Sequence, residues 1–587
     1  MIIGKKPIMN VIVQKRYRMN DKRLDLTGGL QMKGRKIASL GLSFAMVLSM
    51  VACGGGNSNT KDTSANSGET TDVTVDSNVA DSNSDVRGSF EDPANTEKTD
   101  ETIVIGLASE PAAIYGPGAG LVANETSIIQ RALADGLVVM DYQTGDVKPC
   151  LATEWEWVDS THCKFTLRDD VTMSDGTPLV ADDVVYTVNE IWKGINATND
   201  TGNYIGEGGA VAEDEHTVTI EFSTPAPDLL AMLTWSNFGI VSEDEVNAAG
   251  GPEAFSKKPI GGCGRYVFKE WVNGQSITLE RNENYWDDSY AGYYKEIKLT
   301  FVADAAAREF AVESGDADVA YDIPVSQVVT FTGKDNADVV LYPFGQNTHL
   351  WFNMGDNAQE CLKDVRVRKA IDLALNYDAI NTVGTAGYGE PVYGYFESSS
   401  KYYNTTYTDE DRVVDVDQAK ALLDEAGYKD GDITLTALGL QDCVAVYTVM
   451  QENLHAIGIN LEMDIPDVPS FVQSAAGGNY DIILVGDLVS ARYPTVMLSL
   501  RMDGAYGFSI GGPKYSTEET DAAIHAAIEE TDEAKAKEMF GELEQQFKED
   551  TMYVNLYQEL KGSVVGSNIK GYTNIERGYI DITNFYK

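Results

Sequence analysis

The chain has 587 residues, a formal net charge of −46 from 45 Lys/Arg against 91 Asp/Glu, and 43% apolar residues with 54 Gly and only 17 Pro. Its length predicts about three to four globular units. So acidic a surface repels phosphate backbones and anionic lipid headgroups, which argues against nucleic-acid binding and names no substrate by itself.

The charge is uneven along the chain. Residues 1–53 hold ten Lys/Arg against Asp21 and Asp25, which leaves −54 on the remainder. From Met32, MKGRKIASLGLSFAMVLSMVAC joins a basic head (Lys33, Arg35, Lys36) to an apolar stretch from Ile37 to Ala52, interrupted by Ser39, Gly41, Ser43 and Ser49. About 20 strongly apolar residues are needed to cross a bilayer, and this stretch is too short and too rich in small polar residues. It reads as an export signal, with the true start at Met32 and the 31 residues before it over-called. Val51-Ala52-Cys53 resembles the bacterial lipobox, with Met50 at the position usually held by Leu. That resemblance implies cleavage before Cys53 and a diacylglycerol on its sulfur; the alternative is an ordinary signal peptide with an incidental cysteine.

Residues 54–100 nearly lack large apolar side chains and are expected to form a disordered tether, roughly 40 Å in extent as a flexible coil. The folded region then opens with the strand-like TIVIGLASEP. LATEWEWVDSTHCKFTLRDDV reads as a hairpin turning at Asp159-Ser160. Gly176-Thr177-Pro178 reads as a turn ahead of a helix with Asp182 and Asp183 near its start, and Gly261-Gly262 as a backbone bend before the strand RYVFKEW. In DVRVRKAIDLALN, Asp364 is a candidate N-cap and Val367, Ala370, Ile371 and Ala374 share one helical face. DVDQAKALLDEAGY places Ala419, Leu422, Leu423 and Ala426 on one face and Gly427 at the C-terminal stop. Mixed α/β architecture follows.

After Cys53 five cysteines remain, at 150, 163, 263, 361 and 443, an odd number with no metal-binding spacing; all five are expected to be buried small side chains. Five histidines without H-E-x-x-H or paired His/Cys spacing argue against a zinc enzyme, and no P-loop or dinucleotide fingerprint follows a strand. GFSIG at Gly507–Gly511 matches the G-x-S-x-G nucleophile elbow, but Gly512-Pro513 stands where a helix should begin, and the only later histidine is His525. A Gly-rich loop is the better reading. Carboxylate pairs are too common in this chain to be informative, and no catalytic residue, cofactor or metal is assigned.

One long pattern resembles the family 5 solute-binding proteins of ABC transporters, the peptide and nickel binders. It comprises Pro149, Leu151, Ala152 and Trp155; then Phe165, Leu167 and Arg168; then Asp175, Gly176, Thr177, Pro178, Ala181, Asp183 and Val184. PIGGCGRYVFKEW, the segment with Gly315 and Asp318, the helix with Asp364, Val367, Arg368, Ala370 and Ala374, then AKALLDEAGY, HAIGINLEMDIPD, NYDIILVGDL and IKGYT follow in the family's order. The resemblance implies a two-lobed periplasmic-binding-protein-like α/β fold of the class II type. Lobe I would span 101–345 with an extra domain inserted at about 136–257, lobe II 346–556, and 557–587 would return to lobe I. It further implies a hinge that closes the lobes over a solute, a membrane permease as partner, a monomer, and a location on the outer face of the cell membrane.

In peptide binders of this family, the strand ending in G-W leads to an acid that holds the peptide amine. Here Gly486 is followed by Asp487, and the expected acid falls near Ala491 and Arg492. Asp487 is then a candidate displaced amine partner, and Arg492 a candidate for a carboxylate or a surface residue. Family position also nominates Tyr115, Asn347, Trp351 and Tyr388 for the cleft, with His349 and Tyr393 beside them. Trp351 could stack on ligand or fill core, and His349 could serve a nickel complex or simply hydrogen-bond. The expected function is capture of oligopeptides or dipeptides for import. A non-peptide solute, such as a nickel complex or oligosaccharide, or a secreted enzyme or a sensory and signalling module on the same scaffold stays open.

Overall fold

The computed structural model describes residues 98–587 apart from 116–123, 141–145, 196–204, 224–228, 260, 288–291, 335, 397–399, 489–501, 503–511 and 574–578. Cys53, nearly all of the expected tether, Arg492 and the GFSIG string therefore lie outside the described residues. No helix among those described is long and apolar enough to cross a membrane.

Sixteen strands are described: β1 (Thr102–Leu107), β2 (Val138–Met140), β3 (Val147–Pro149), β4 (Ala152–Trp157), β5 (His162–Leu167), β6 (Ile205–Asp214), β7 (Thr217–Phe222), β8 (Tyr266–Val272), β9 (Ser276–Arg281), β10 (Glu296–Phe301), β11 (Val319–Ile323), β12 (Ala337–Phe352), β13 (Ile433–Leu438), β14 (Ile459–Asp464), β15 (Ile482–Leu488) and β16 (Tyr553–Gly566). Ten of them form one mixed sheet in the order β14-β13-β15-β12-β16-β11-β1-β10-β9-β8. This sheet runs through both lobes. The strands β12 and β16 are long enough to belong to each, and they pair antiparallel from Ala337 opposite Gly566 to Trp351 opposite Tyr553. The expected boundaries at 345/346 and 556/557 fall inside these two continuous strands.

Each lobe has its own apolar centre. In lobe I, Ile103, Ile105, Ile297 and Leu299 pack in one core with Phe165, Trp192 and Ile220 of the residues around the four-stranded sheet β4-β5-β7-β6. In lobe II the sheet is covered on both faces. Leu350, Leu484 and Val554 meet the helices Val365–Ala374 and Val444–Ala456 on one side. On the other, Trp351, Ile483 and Tyr553 meet Phe540 and Phe547 of the helix Glu533–Glu549. Adjacent residues of a strand point to opposite faces, so one strand supplies both cores.

Local signals act as the sequence predicts. β4 and β5 form the hairpin, and Asp159 Oδ1 accepts from the backbone N–H groups of Thr161 and His162 at 2.8 Å each. Asp364 caps its helix by accepting from Arg366 N–H at 2.9 Å, and Val367, Ala370, Ile371 and Ala374 are buried beneath it. Gly427 closes the helix Val416–Ala426 at φ 92°, a left-handed conformation that glycine adopts without steric cost. Cys163 pairs across the hairpin with Trp157. All five described cysteines are free thiols, and four are buried; Cys443 departs from expectation, being only half-buried. The reason is its place in the turn Gln441–Cys443, which borders the cavity described next.

Candidate functional site: a cavity between the lobes

Where β12 and β16 cross between lobes, a cavity of about 300 Å3 opens on the sheet face that carries Leu350 and Leu484. Its size is at the lower end of small-ligand pockets, roughly 300–1,000 Å3. Lobe I contributes Pro324, Val325 and Ser326, immediately after β11. Lobe II contributes the end of the helix Tyr377–Thr385 on one side and Asp442, Cys443 and Val446 on the other. The floor is Thr348 of β12, Leu484 and Gly486 of β15, and Tyr557, Glu559 and Lys561 of β16.

Two glycines make room for this floor. A Cβ on Gly486 would lie 2.7 Å from Gln346 Oε1 and 2.9 Å from Glu559 Oε1, and one on Gly384 would lie 2.6 Å from the Tyr557 hydroxyl. A side chain at either position would have to push these groups aside. Thr348 Oγ1 donates to Glu559 Oε1 at 3.0 Å. Lys561 Nζ stands 3.5 Å from Asp322 Oδ1, which comes from the end of β11. Asp322 itself has a positive φ of 56°, and its carbonyl accepts from Arg308 Nη2 at 2.8 Å. Burial pushes the Glu559 carboxyl above the usual carboxylate range and the nearby Asp442 adds to this, while Lys561 and Thr348 offset part of it. Asp442 is likewise shifted up by burial, with Lys561 opposing.

The residues expected in the cleft do not line this cavity wherever their side chains are described. Tyr115 is 2% exposed and packs its ring 5.3 Å from Phe255 in the lobe I core. Trp351 is fully buried against Tyr553, ring centroids 4.8 Å apart, so it fills core. His349 stacks on Tyr395 in the same aromatic group, and Asn347 Nδ2 donates to the Tyr395 carbonyl at 3.4 Å. Tyr388 packs beside Val328 and Leu341 in lobe I, and Tyr393 donates to Asp409 Oδ1 at 2.7 Å. None of these six residues lines the cavity. For Asp487 only the backbone is described, paired in β15 with Asn347. The residues that do line it, Thr348, Asp442, Glu559 and Lys561, escaped the sequence reading. The strand period held the signal: if Trp351 fills core, then Asn347 and His349 lean the same way, and Thr348 faces the opposite side.

The carboxylates, the lysine and the apolar walls offer charge and shape to a solute. Among the described residues, no cluster of three His, Cys, Asp or Glu could hold a metal ion. His525, the partner an elbow serine would require, sits on the helix Glu518–Glu529.

Comparison with known proteins gives the fold and the family. The model of the bacterial extracellular solute-binding proteins, family 5 Middle, matches residues 146–505. The periplasmic oligopeptide-binding protein OppA of Salmonella typhimurium is 25% identical over 488 residues, covering 76% of this chain and 85% of its own. The probable D,D-dipeptide-binding periplasmic protein DdpA of Escherichia coli is 23% identical over 493 residues, covering 80% and 91%. Among solved structures, the ABC transporter substrate-binding protein CtaP of Listeria monocytogenes shares the fold with a TM-score of 0.73 at 22% identity, covering 83% of this chain and 99% of that one. With its two lobes, its crossing strands and a cavity between them, the chain belongs to the family 5 bacterial extracellular solute-binding proteins of ABC transporters.

Proposed function

We propose that the protein is the lipid-anchored, substrate-binding component of an ABC importer, which captures oligopeptides or dipeptides outside the cell and delivers them to a membrane permease. The observation that carries this reading is the cavity between the lobes, built on the strands that join them. A solute seated there touches both lobes at once, so its binding free energy favours their closed arrangement, and hinge closure is an established response to that kind of contact. The names of OppA and DdpA support peptides as the solute class. Cys53, as the acylated first residue of the mature chain, would hold this monomer at the outer face of the membrane, with residues 54–100 as the tether.

Thermal denaturation with a library of di- to nonapeptides tests the assignment. A ligand that binds only the folded state raises the transition with concentration, by about 2.7 kcal/mol at a hundredfold excess over its Kd. The expected result is a concentration-dependent rise for a subset of peptides. A rise with sugars or metal chelates and with no peptide would overturn the peptide assignment. Palmitate labelling that survives Cys53→Ser would overturn the anchor.

A further inference from the structure

Asn273-Gly274 is the one Asn-Gly step in the sequence. It forms the exposed tip of the hairpin between β8 and β9, where Gln275 N–H donates to the Val272 carbonyl at 2.9 Å and Gly274 takes a φ of 69°. A Cβ on Gly274 would meet nothing within 4 Å, so the space around the step is open. Asparagine is a chemically labile residue, and a following glycine leaves no side chain to shield its amide from the next backbone nitrogen.

One group fastens that nitrogen. Glu110, in the loop after β1, accepts through Oε1 from the Gly274 N–H at 2.9 Å and from Trp271 Nε1 at 2.7 Å. These two bonds, the one from Gly274 first, hold the Glu110 carboxyl below the usual carboxylate range, and Lys257 adds to this. Glu110 is therefore ionised at neutral pH. Its neighbour Ser109 is secured separately, its N–H and hydroxyl donating to Glu125 Oε1 at 3.2 and 2.9 Å.

Deamidation begins when the Gly274 nitrogen, giving up its proton, bonds to Cγ of Asn273 and the side-chain nitrogen leaves as ammonia. Water then opens the resulting succinimide at one of its two carbonyls and leaves aspartate or isoaspartate at 273; nothing is oxidised or reduced. Glu110 opposes the first step. Its negative charge disfavours an amide anion beside it, and a carboxylate is far too weak a base to take the proton itself. Its charge-assisted bond also keeps the N–H directed at Oε1.

We propose that Asn273 is a site of spontaneous deamidation, and that Glu110 restrains the reaction by holding the Gly274 N–H. Once the reaction occurs, the restraint does not re-form as before. Aspartate brings a second carboxylate toward Glu110, and isoaspartate lengthens the backbone of the turn by a methylene. The change falls at the end of lobe I where β1 and β10 finish, with β9 starting opposite Thr300.

Peptide mapping by mass spectrometry, after incubation of the purified full chain in mildly alkaline buffer, reads the conversion of amide to acid at 273. The comparisons are Glu110→Ala, Glu110→Gln and the synthetic peptide Trp-Val-Asn-Gly-Gln-Ser. Conversion in the intact protein is expected to be slower than in the peptide, and faster in Glu110→Ala than in the unaltered chain by on the order of tenfold for loss of one charge-assisted bond. Glu110→Gln, which keeps an acceptor and loses the charge, should fall between them. The other asparagines, mapped in the same digests, should convert at unchanged rates. Acceleration at all of them would mean general loosening of the fold and would overturn the role of Glu110. Equal rates at 273 with and without Glu110, or a slower rate in Glu110→Ala, also overturn it. An Asn273 that stays intact in both the unaltered chain and Glu110→Ala, while the peptide converts, overturns the site itself.

Discussion

The two faces of one strand pair, β12 and β16, have opposite fates within lobe II. On one face His349, Trp351, Tyr395 and Tyr553 close into an aromatic group, with His349 and Trp351 fully buried. On the other, Thr348, Tyr557 and Glu559 front a cavity. The residues that look most like a binding site, with their rings and polar edges, hold the lobe together. Plainer residues one position away line the cavity. Aromatic character marks a large buried area, and only the direction of the side chain says whether a solute or the core buries it.

Mutation can break this contrast from either side, and the closed face should give the largest effect. Trp351→Ala removes a fully buried indole from beside Tyr553 and should destabilise the protein by about 3–5 kcal/mol. Chemical denaturation measures this, and affinity at a temperature where the variant is folded should change little. A variant that kept its stability but lost its solute would place Trp351 in the site after all.

Second in size is a pH effect on the same side. Glu544 is 2% exposed, accepting from Tyr395 N–H at 2.7 Å and Thr406 Oγ1 at 2.9 Å, and burial pushes its carboxyl from the ordinary 4.5 up to about 7. The folded state then holds this proton more tightly than the unfolded chain does. Its contribution is therefore full below about pH 4.5 and falls as pH rises toward 7, by up to about 3 kcal/mol. Glu544→Gln should flatten that part of the stability profile, and an unchanged slope would assign the pH dependence to other groups. The smallest effect belongs to the open face. Thr348→Val keeps the shape but removes the donor to Glu559, and should cost about 1 kcal/mol of stability or less. Its main reading is a change of a few-fold in solute affinity, in contrast to Trp351→Ala.

The scaffold was legible because its signals are local. A cap such as Asp364, four apolar positions on the helix that follows it, or a turn stapled by Asp159 needs only neighbours in sequence to act. The ordered run of motifs from Pro149 to the C-terminal IKGYT then fixed the family. The site was harder, because its residues come from four distant stretches that meet at the crossing of the lobes. Asn347 and Trp351 fall within the same strand as Thr348 but lean to the face opposite the cavity. The register also shifts between Thr348 and His349, where Tyr557 and Asn555 become their respective partners, so counting by twos along β16 misleads. Glu559 and Asp442 carried no sequence signal at all, since in a chain with 91 acidic residues two more draw no notice. Their place on the wall of one cavity is what sets them apart.

The continuity of β12 and β16 has a mechanical consequence. Each strand is a single covalent backbone reaching from one lobe into the other, and the two are laced together along most of their length. Sliding the lobes past one another would shear that ladder, and pulling them apart would stretch peptide bonds. What remains soft is bending and twisting of a two-stranded ribbon. Thr348, Tyr557 and Glu559 ride on the ribbon itself, close to its pivot, where a rotation displaces atoms least. Pro324–Ser326 and the Gln441–Cys443 turn stand off it, with longer lever arms. A solute would therefore meet a floor of nearly constant shape and walls that travel, so the floor is suited to reading its chemistry and the walls to sensing that it has arrived.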